Sequence, residues 1–319
     1  MALGTIEIAP GMAFSDIALG AGKRGIPAFR EETFQIMDRY VDVYGGNCFD
    51  SAHLYEDGES DKALGAWLRR RGAGQRHSLF ICTKGSHPTP GQMHMPRLSA
   101  AEIAADLDAA LSDIGTEYAD LHMVHRDDVR IPVSDIVPAL DALVKSGKAR
   151  HVGVSNWTAT RIIEANRFAR QNNLSPLRCC QMHFSLGITT APTTGDITHV
   201  PMNDVEFGWY KESGFPIMAF CAQARGFFSV LAAGREPSER QRKYYDLLPE
   251  NHRRLERLIK LSGELGVAPS AVCIAYVRDN AVRATALCAF SSLAQMEESM
   301  RAAEIRLAPQ QVRYLETGE

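Results

Sequence analysis

The chain has 319 residues, of which 45% are hydrophobic and 23% are charged, a composition typical of globular proteins. Its 35 basic and 38 acidic residues leave a formal net charge of −3, which argues against nucleic acid or a membrane surface as a partner. No apolar stretch reaches the roughly 20 residues that a transmembrane helix needs, and the N-terminus lacks the features of a signal peptide. We therefore expect a cytoplasmic protein that binds neither nucleic acid nor a membrane.

The seven cysteines favour the same location. Their number is odd, and most of them lie inside apolar runs such as FICTK, residues 80–84. They are therefore expected to be buried and reduced. Neither a CxxC nor an HExxH pair occurs, so no metal site is expected.

Eight short apolar runs alternate with helical patterns along the chain. The runs are mostly continuous, which is typical of parallel strands that are covered on both faces. In chain order the predicted strands are SDIALGAG (15–22), GNCFDSA (46–52), SLFICTK (78–84), YADLHMVH (118–125), ARHVGVSN (149–156), RCCQMHF (178–184), PIMAFCA (216–222) and ATALCAF (284–290).

Two of the intervening helices are clear from the sequence. One begins at a capping box formed by Ser99 and Glu102. The other covers residues 133–147 and contains Pro138, which a helix tolerates best in its first turn. We therefore expect that helix to begin near Pro132–Asp135.

Eight strand–helix units predict a (β/α)8 barrel, with residues 1–319 forming one domain. An open doubly wound sheet is the alternative, and we expect it to be the less favourable of the two. Three long loops follow strands, at residues 85–97, 186–201 and 223–251. In a barrel they would lie on the C-terminal face, where active sites are built.

Four polar residues lie where three neighbouring strands would end. Asp50 ends the second predicted strand and Tyr55 lies in the loop after it. Lys84 and His125 end the third and fourth strands. Each alone could be an ordinary surface or capping residue. Because parallel barrel strands end on one face, the four together predict a common site.

Together, these residue types can donate a proton to a substrate. A tyrosine hydroxyl has a pKa of about 10, too high for efficient proton donation at neutral pH. A neighbouring lysine cation favours the phenolate and lowers that pKa, and an aspartate keeps the lysine charged and in place. A histidine can hydrogen-bond the oxygen of a carbonyl substrate. No side chain provides a hydride, whereas a nicotinamide cofactor would.

From about Gly20 to Arg306, the chain resembles the aldo-keto reductases. The motifs that carry the resemblance are GNCFDSAHLY, FICTK, YADLHMVHRDD, GKARHVGVSNW and SSLAQMEE, and AFCAQARGFFSVL is similar to a bacterial branch of general aldo/keto reductases. The resemblance implies NAD(P)H-dependent reduction of an aldehyde or ketone, a small-molecule carbonyl substrate, to an alcohol. Tyr55 would be the general acid, Lys84 and Asp50 would tune it, and His125 would orient the carbonyl.

The resemblance also implies residues that hold the cofactor. Ser155, Asn156 and Gln181 match residues that bind the nicotinamide carboxamide, and Phe220 takes the place of a tyrosine that stacks on the nicotinamide ring. The loop Cys221–Gly226, with Gln223 and Arg225, matches the strap over the pyrophosphate. The adenosine end would be held by Ser291, Ser292, Gln295, Glu298 and Ser299.

Some positions depart from the family pattern. Ala289 and Gln295 replace the Lys and Arg that bind the 2′-phosphate in many members, and Ser299 replaces a frequent Asn. Arg225, Lys243 or an arginine of the third long loop could supply the missing cation. We expect NADPH as the cofactor, with NADH as the alternative.

The substrate pocket is expected to include residues of several loops. His53, Leu54, His87 and Trp157 are the main candidates, with Met93, His94 and Met95 on a loop that overhangs the mouth or is an ordinary surface loop. Cys221 is expected to be a buried structural thiol rather than a redox-sensitive one. The run Arg126–Asp128 would form a loop ion-pair network or contact a polar substrate. His122 lies three residues before His125, so it should face the helix layer.

Two other functions remain open at this point. One is a regulatory protein that binds NADP(H) with little turnover, as the family's ion-channel β subunits illustrate. The other is an unrelated barrel enzyme such as a metal-dependent hydrolase. Residues Met1–Met12 resemble the short hairpin that closes the bottom of the family's barrels. The sequence favours no particular oligomeric state.

Overall fold

The computed structural model describes residues 3–21 and 30–319, so Met1, Ala2 and Gly22 of the predicted elements lie outside the described residues. The strands are β1 (Thr5–Ala9), β2 (Met12–Ser15), β3 (Ile17–Gly20), β4 (Cys48–Asp50), β5 (Phe80–Gly85), β6 (Ala119–Val124), β7 (Ala149–Ser155), β8 (Leu177–His183), β9 (Ile217–Phe220) and β10 (Ala284–Cys288). The helices are α1 (Arg30–Asp42), α2 (Glu59–Arg71), α3 (Ala100–Ile114), α4 (Val133–Lys145), α5 (Ala159–Gln171), α6 (Ala191–Thr194), α7 (Asp204–Ser213), α8 (Phe227–Ala232), α9 (Glu239–Gln241), α10 (Pro249–Leu265), α11 (Pro269–Arg278), α12 (Leu293–Met300) and α13 (Pro309–Thr317).

Strands β3 to β10 pair in parallel and close into a barrel in the order β10-β3-β4-β5-β6-β7-β8-β9. All residues of β5 and β6 are buried, because side chains on one strand face fill the barrel and those on the other face pack against helices. The predicted (β/α)8 barrel is confirmed, and the eight predicted strands are its eight strands.

The hairpin β1–β2 closes the N-terminal end of the barrel. The ring of Phe14 lies 4.5 Å from that of Phe80, and both belong to an apolar cluster with Ile8, Leu121 and Met218. The hairpin extends to Ser15, three residues beyond the predicted segment. This end of the barrel is therefore filled with apolar side chains, and polar side chains collect at the other end.

The predicted helices are present with one difference of detail. Ser99 and Glu102 form the predicted capping box at the start of α3. Helix α4 begins at Val133, as expected, but Pro138 is its sixth residue and lies beyond the first turn. Both Pro138 and Ser134, whose carbonyl loses its helical donor, are exposed, so water can satisfy that carbonyl.

The second and third long loops contain helices that the sequence did not predict. The second loop includes α6, and the third includes α8, α9 and a π-helical turn at Arg242–Asp246. These helices have three to six residues. Segments this short cannot display a 3.6-residue hydrophobic period, so the sequence predicts loops there.

The outward face of β6 carries His122. Its Nδ1 lies 2.9 Å from Thr83 Oγ1, and the imidazole is fully buried. Burial lowers the pKa of His122 to about 4, so the ring is neutral at pH 7. The predicted orientation, opposite to His125, agrees with this position in the layer between strands and helices.

Among the described residues, no single helix is long and apolar enough to cross a bilayer, although α10 and α11, bent by 99°, satisfy length and composition as a pair. No group of three or more His, Cys, Asp or Glu side chains in the described ranges could hold a metal ion.

The close approach of α2 to the end of α3 requires a glycine. A Cβ at Gly65 would collide with the backbone carbonyls of Asp113 and Ile114, whereas a Cβ at Gly208, inside α7, would meet nothing within 4 Å. We expect Gly65→Ala to lower the free energy of unfolding by about 2 kcal/mol through overpacking. Gly208→Ala is the matched control and should raise it by about 0.5 kcal/mol, because alanine favours the helix. Urea unfolding of both variants tests this, and a shift in the same direction for both would contradict it.

Candidate active site

A buried ion pair lies at the C-terminal end of the barrel. Asp50 is the last residue of β4, and Lys84 projects into the barrel from β5 on the same face as Cys82. Lys84 Nζ donates to Asp50 Oδ1 at 2.5 Å, and both side chains are buried. Gln181, from β8 across the barrel, donates through Nε2 to the same oxygen at 2.8 Å.

Tyr55 lies above this pair in a tight turn. Its backbone N–H donates to Ala52 O at 2.8 Å, and Glu56 and Asp57 adopt left-handed backbone conformations directly after it. The Lys84 ammonium lies 5.0 Å from the centroid of the Tyr55 ring. The ring of His125, directly after β6, lies 5.9 Å away in an edge-on arrangement. The four predicted residues therefore meet at one site.

The charges at this site are set by burial and by one another. Burial opposes the charged form of Lys84, but the Asp50 carboxylate and the Tyr55 phenol raise the pKa of Lys84 above its ordinary value. Burial raises the pKa of Tyr55, and the Lys84 cation lowers it by a smaller amount. The lowering that the sequence predicts is thus present but is outweighed by burial.

His125 is neutral at physiological pH. Burial holds its pKa well below the ordinary value, and the cations Arg126 and Lys84 lower it further. Its Nδ1 is buried and has no partner among the described residues. A neutral imidazole retains one N–H donor that can bind a substrate oxygen.

A cleft of about 810 Å³ extends from this site across the C-terminal face. It runs from Asp50 and Tyr55, past Phe220, to the N-terminal end of α12. Its size is suitable for a large ligand. The predicted cofactor residues that line it are Phe220, Cys221, Gln223, Arg225, Gly226, Ser291, Ser292, Gln295, Glu298 and Ser299.

The remaining predicted cofactor residues lie beside the ion pair. Ser155 is the last residue of β7, and Asn156 Nδ2 donates to its Oγ at 2.9 Å. Asn156 has a left-handed backbone with φ of 57°, and both residues are buried. Gln181 donates to Asp50 and keeps its amide oxygen as an acceptor.

The loop Cys221–Gly226 has a strained backbone. Cys221, Ala224 and Arg225 have positive φ angles although none of them is glycine, and such conformations cluster at ligand sites. The Arg225 guanidinium lies 4.7 Å from the Tyr244 ring centroid, and its buried Nε has no partner among the described residues. An unpaired buried donor on a cation suits an anionic group such as a phosphate, and the adjacent Phe220 ring suits a stacked base.

At the adenosine end of the predicted site, the polar residues form hydrogen bonds with one another. Ser292 caps α12 by accepting from Gln295 N at 3.2 Å, the Ser291 N–H donates to Gln295 Oε1, and Gln223 Nε2 donates to Ser299 Oγ at 3.0 Å. The cleft is lined by two arginines of the third long loop, Arg225 and Arg235.

Lys243 does not reach the cleft. Its ammonium lies against Gly195 of the second long loop. The sequence could not reveal this, because the π-helical turn that carries Lys243 sets the direction of its side chain. Of the proposed sources of a cation, Arg225 and Arg235 are therefore the ones in position.

The predicted substrate residues divide into two groups. The His87 ring lies 4.9 Å from that of His125, and Leu54 is half-buried directly before Tyr55. Trp157, in contrast, is fully buried with the Arg161 guanidinium 5.1 Å from its ring, so it forms part of the core.

His53 points away from the ion pair. Its Nδ1 lies 3.9 Å from the Asp113 carboxylate of α3. The structure places the side chains of His53 and Trp157 beside partners on helices outside the barrel, and their assignment to the substrate pocket stays a prediction. Met93 is half-buried and Met95 is exposed on the overhanging loop.

The residues after His125 form the ion-pair network that the sequence suggested. Arg161 Nε lies 3.2 Å from Asp127 Oδ2, and Arg130 Nη2 lies 2.5 Å from Asp128 Oδ2. Arg126 contacts Asp196 at 3.4 Å.

Two histidines at the site were missed by the sequence analysis. The ring of His183 is stacked on Phe220, with 5.2 Å between centroids and 10° between planes, and its Nε2 lies 3.0 Å from the Tyr245 hydroxyl. His183 could have been found, because it lies two residues after Gln181 and so shares its strand face. His199 lies in the second long loop, 5.8 Å from Phe220, and no spacing signals it.

The comparisons with known proteins agree with this geometry. The model of the Aldo/keto reductase family matches residues 16–317. The uncharacterized oxidoreductase YrpG of Bacillus subtilis is 26% identical over 313 residues, covering 96% of this chain and 92% of that protein. Norsolorinic acid reductase A of Aspergillus parasiticus is 24% identical, covering 98% of this chain and 78% of that protein.

Solved structures share the fold. A thermostable aldo-keto reductase in complex with the inhibitor epalrestat superposes with a TM-score of 0.75 at 18% identity, covering 99% of both chains. The family consists of oxidoreductases that in general use nicotinamide cofactors and act on carbonyl groups. Because the family model matches almost the entire length, this chain belongs to the aldo/keto reductase family.

Proposed function

We propose that this protein reduces an aldehyde or a ketone to an alcohol with NADPH, and that Tyr55 donates the proton. The observation that carries the proposal is the buried Asp50–Lys84 ion pair, with the Lys84 ammonium 5.0 Å from the Tyr55 ring in the wall of a large cleft. Membership of the family supports carbonyl reduction in general. The roles of single residues and the choice of NADPH are our inference.

The proton transfer follows from the charges around Tyr55. When bound, the cofactor would supply the hydride that reduces the carbonyl carbon of the substrate. As negative charge develops on the carbonyl oxygen, the Tyr55 O–H bond breaks and an O–H bond forms on the alcohol product. The Lys84 ammonium stabilises the resulting phenolate until a proton from solvent restores the hydroxyl.

His125 and Asp50 support this transfer in different ways. A neutral His125 donates a hydrogen bond to the carbonyl oxygen and aligns it with the Tyr55 hydroxyl. Asp50 keeps Lys84 protonated, since an unpaired ammonium in the barrel interior would lose its proton. Lys84 and His125 therefore keep their protons during the reaction, and the Tyr55 hydroxyl is the group that gives one up.

The cleft residues would hold the cofactor along its length. Ser155, Asn156 and the free amide oxygen of Gln181 would bind the carboxamide, and the Phe220 ring would stack on the nicotinamide. The strained loop with Arg225 would cover the pyrophosphate, and Ser291, Gln295 and Ser299 would contact the adenosine. Arg235, which lines the same cleft as Glu298, would bind the 2′-phosphate that distinguishes NADPH from NADH.

Tyr55→Phe should lower kcat at least about 1,000-fold, because general acid catalysis contributes about 100- to 10,000-fold and phenylalanine has no transferable proton. The Kd for NADPH should change less than about twofold, since the substitution removes a single oxygen atom. Oxidation of NADPH followed at 340 nm with several aldehydes and ketones gives kcat, and quenching of tryptophan fluorescence gives the Kd.

Tyr44→Phe is the matched control for this variant. Tyr44 is half-buried at the opposite end of the barrel, where its carbonyl accepts from Leu3 N–H, so the variant should keep wild-type kcat. A Tyr55→Phe protein with near-wild-type kcat contradicts the proposed acid. Tight NADPH binding by the wild-type protein without turnover of any carbonyl would instead indicate a regulatory role.

Arg235→Gln should raise the Kd for NADPH about tenfold and leave the Kd for NADH within about twofold, because a charge-assisted bond to the 2′-phosphate exists only with NADPH. Arg225→Gln should weaken both cofactors, since both carry the pyrophosphate. Arg240→Gln, in the same loop but outside the cleft lining, is the control. Equal losses for the two cofactors in Arg235→Gln would contradict this assignment.

A further inference from the structure

Arg126, directly after His125, is a buried cation beside the proposed proton donor. Its side chain is 9% exposed. Its Nη1 donates to His125 O, its Nε donates to Thr198 Oγ1 and its Nη2 donates to His199 Nε2, each at 2.9 Å. Three of its four partners among the described residues are therefore uncharged.

The remaining partner of Arg126 is one carboxylate, which it contacts through a single, long hydrogen bond. Asp196 Oδ2 lies 3.4 Å from Arg126 Nη2, and that contact involves one oxygen and one nitrogen. The same carboxylate also accepts from Thr198, through its backbone N–H at 2.9 Å and its hydroxyl at 2.6 Å. Asp196 is 25% exposed, so it neutralises the guanidinium only in part.

Other buried arginines of this chain are paired more closely. Arg278, 3% exposed, binds both oxygens of Asp279 through Nε at 2.7 Å and Nη2 at 2.6 Å. Arg161, 8% exposed, reaches Asp127 at 3.2 Å and has Glu164 at 3.3 Å as a second carboxylate. Incomplete pairing of a buried guanidinium is costly, and of these three arginines Arg126 has the longest carboxylate contact and a single carboxylate partner.

Among the described residues, Asp196 is the carboxylate that acts most strongly on the Arg126 cation. His87, His125 and His199 all have pKa values below that of a free imidazole because of burial and of the Arg126 cation, so they are neutral at pH 7. The other carboxylate at this site, Asp50, is bound by Lys84. A second anion on the side that faces His125 would complete the pairing of Arg126.

His199 provides a second donor without an acceptor. A guanidinium can only donate, so a hydrogen bond from Arg126 Nη2 to His199 Nε2 assigns the ring proton to Nδ1. The same Nε2 also lies 3.4 Å from Asp196 Oδ2. His199 Nδ1 is buried and has no partner within the described part of the chain. The same ring lies 5.8 Å from Phe220, which lines the cleft.

We propose that the substrate is a carbonyl compound that carries a carboxylate, and that Arg126 and the Nδ1–H of His199 bind this carboxylate beside the reacting carbonyl. This inference rests on the proposed carbonyl reduction and specifies its substrate class. The product would be the corresponding hydroxy acid. Two donors on different elements fit the two oxygens of a carboxylate, and the guanidinium supplies its counter-charge.

The phosphates of the cofactor do not account for this site. Arg225 and Arg235 line the cleft along which the dinucleotide would lie. Arg126 instead adjoins His125 and contributes to the electrostatics of Tyr55 and His87, at the end where the substrate carbonyl reacts. The anion that would complete the pairing of Arg126 is therefore assigned to the substrate.

The test compares two four-carbon aldehydes that differ by a carboxylate, 4-oxobutanoate and butanal. With wild-type protein and saturating NADPH, kcat/KM for 4-oxobutanoate should exceed that for butanal at least about 20-fold, as expected for a charge-assisted pair of hydrogen bonds. Equal values would overturn the inference and leave the proposed carbonyl reduction intact.

Arg126→Gln should lower the ratio of the two kcat/KM values about 20-fold, through a rise in KM for 4-oxobutanoate. Arg130→Gln, on an arginine that is 67% exposed and paired with Asp128, is the matched control and should keep the wild-type ratio. An unchanged ratio in Arg126→Gln would overturn the inference.

Asp196→Asn separates binding of a substrate from a purely structural role of Arg126. Asparagine keeps an acceptor for Thr198 but removes the anion that competes for the guanidinium, so the ratio should rise about threefold or more. If Arg126 only holds the second long loop in place, Asp196→Asn will lower kcat/KM for both aldehydes equally. The ratio will then stay constant, which contradicts the inference.

A failure of the proposed function would be recognised separately. If NADPH reduces neither aldehyde, binding of succinate to the protein saturated with NADP⁺ decides the question. Binding that Arg126→Gln weakens at least about tenfold would support the carboxylate site on its own. Absence of succinate binding would overturn it.

Discussion

The arrangement of the site depends on the ion pair between Asp50 and Lys84. Both side chains are buried at the C-terminal end of the barrel, with exposures of 1% and 0%, and neither charge would be stable there alone, because the desolvation of an unpaired ion costs several kcal/mol. The pair joins the ends of β4 and β5, and Gln181 joins it from β8. Three strands thus fix one ammonium beneath Tyr55.

The two ends of the barrel differ in the way that this function requires. Phe14 and Phe80 fill the N-terminal end with apolar contacts, which contribute rigidity. The C-terminal loops carry the strained positions, including Asn156 and Cys221 with left-handed backbones. Strain of this kind persists only where a rigid scaffold supports it, and here it positions groups around a single cleft.

The sequence predicted the parts of the structure that depend on local pattern. Eight apolar runs identified the strands, and the position of Lys84 at a strand end placed it beside Asp50, because parallel strands end on one face. The directions of loop side chains were not predictable. Trp157 points toward Arg161 and His53 points toward Asp113, and both of these partners lie on helices outside the barrel. The direction of the pKa shift of Tyr55 was also not predictable, because the burial that raises this pKa depends on the whole fold.

The central claim is that the Lys84 ammonium makes Tyr55 a competent proton donor, and the pH dependence of single-turnover NADPH oxidation by Lys84→Met tests it most directly. The account predicts a rate at pH 7 at least about 100-fold below wild type. Loss of the cation disfavours the phenolate, so the decline in rate as Tyr55 loses its proton should move to higher pH. The Kd for NADPH verifies that the variant is folded. A wild-type rate and pH profile in Lys84→Met would contradict the account.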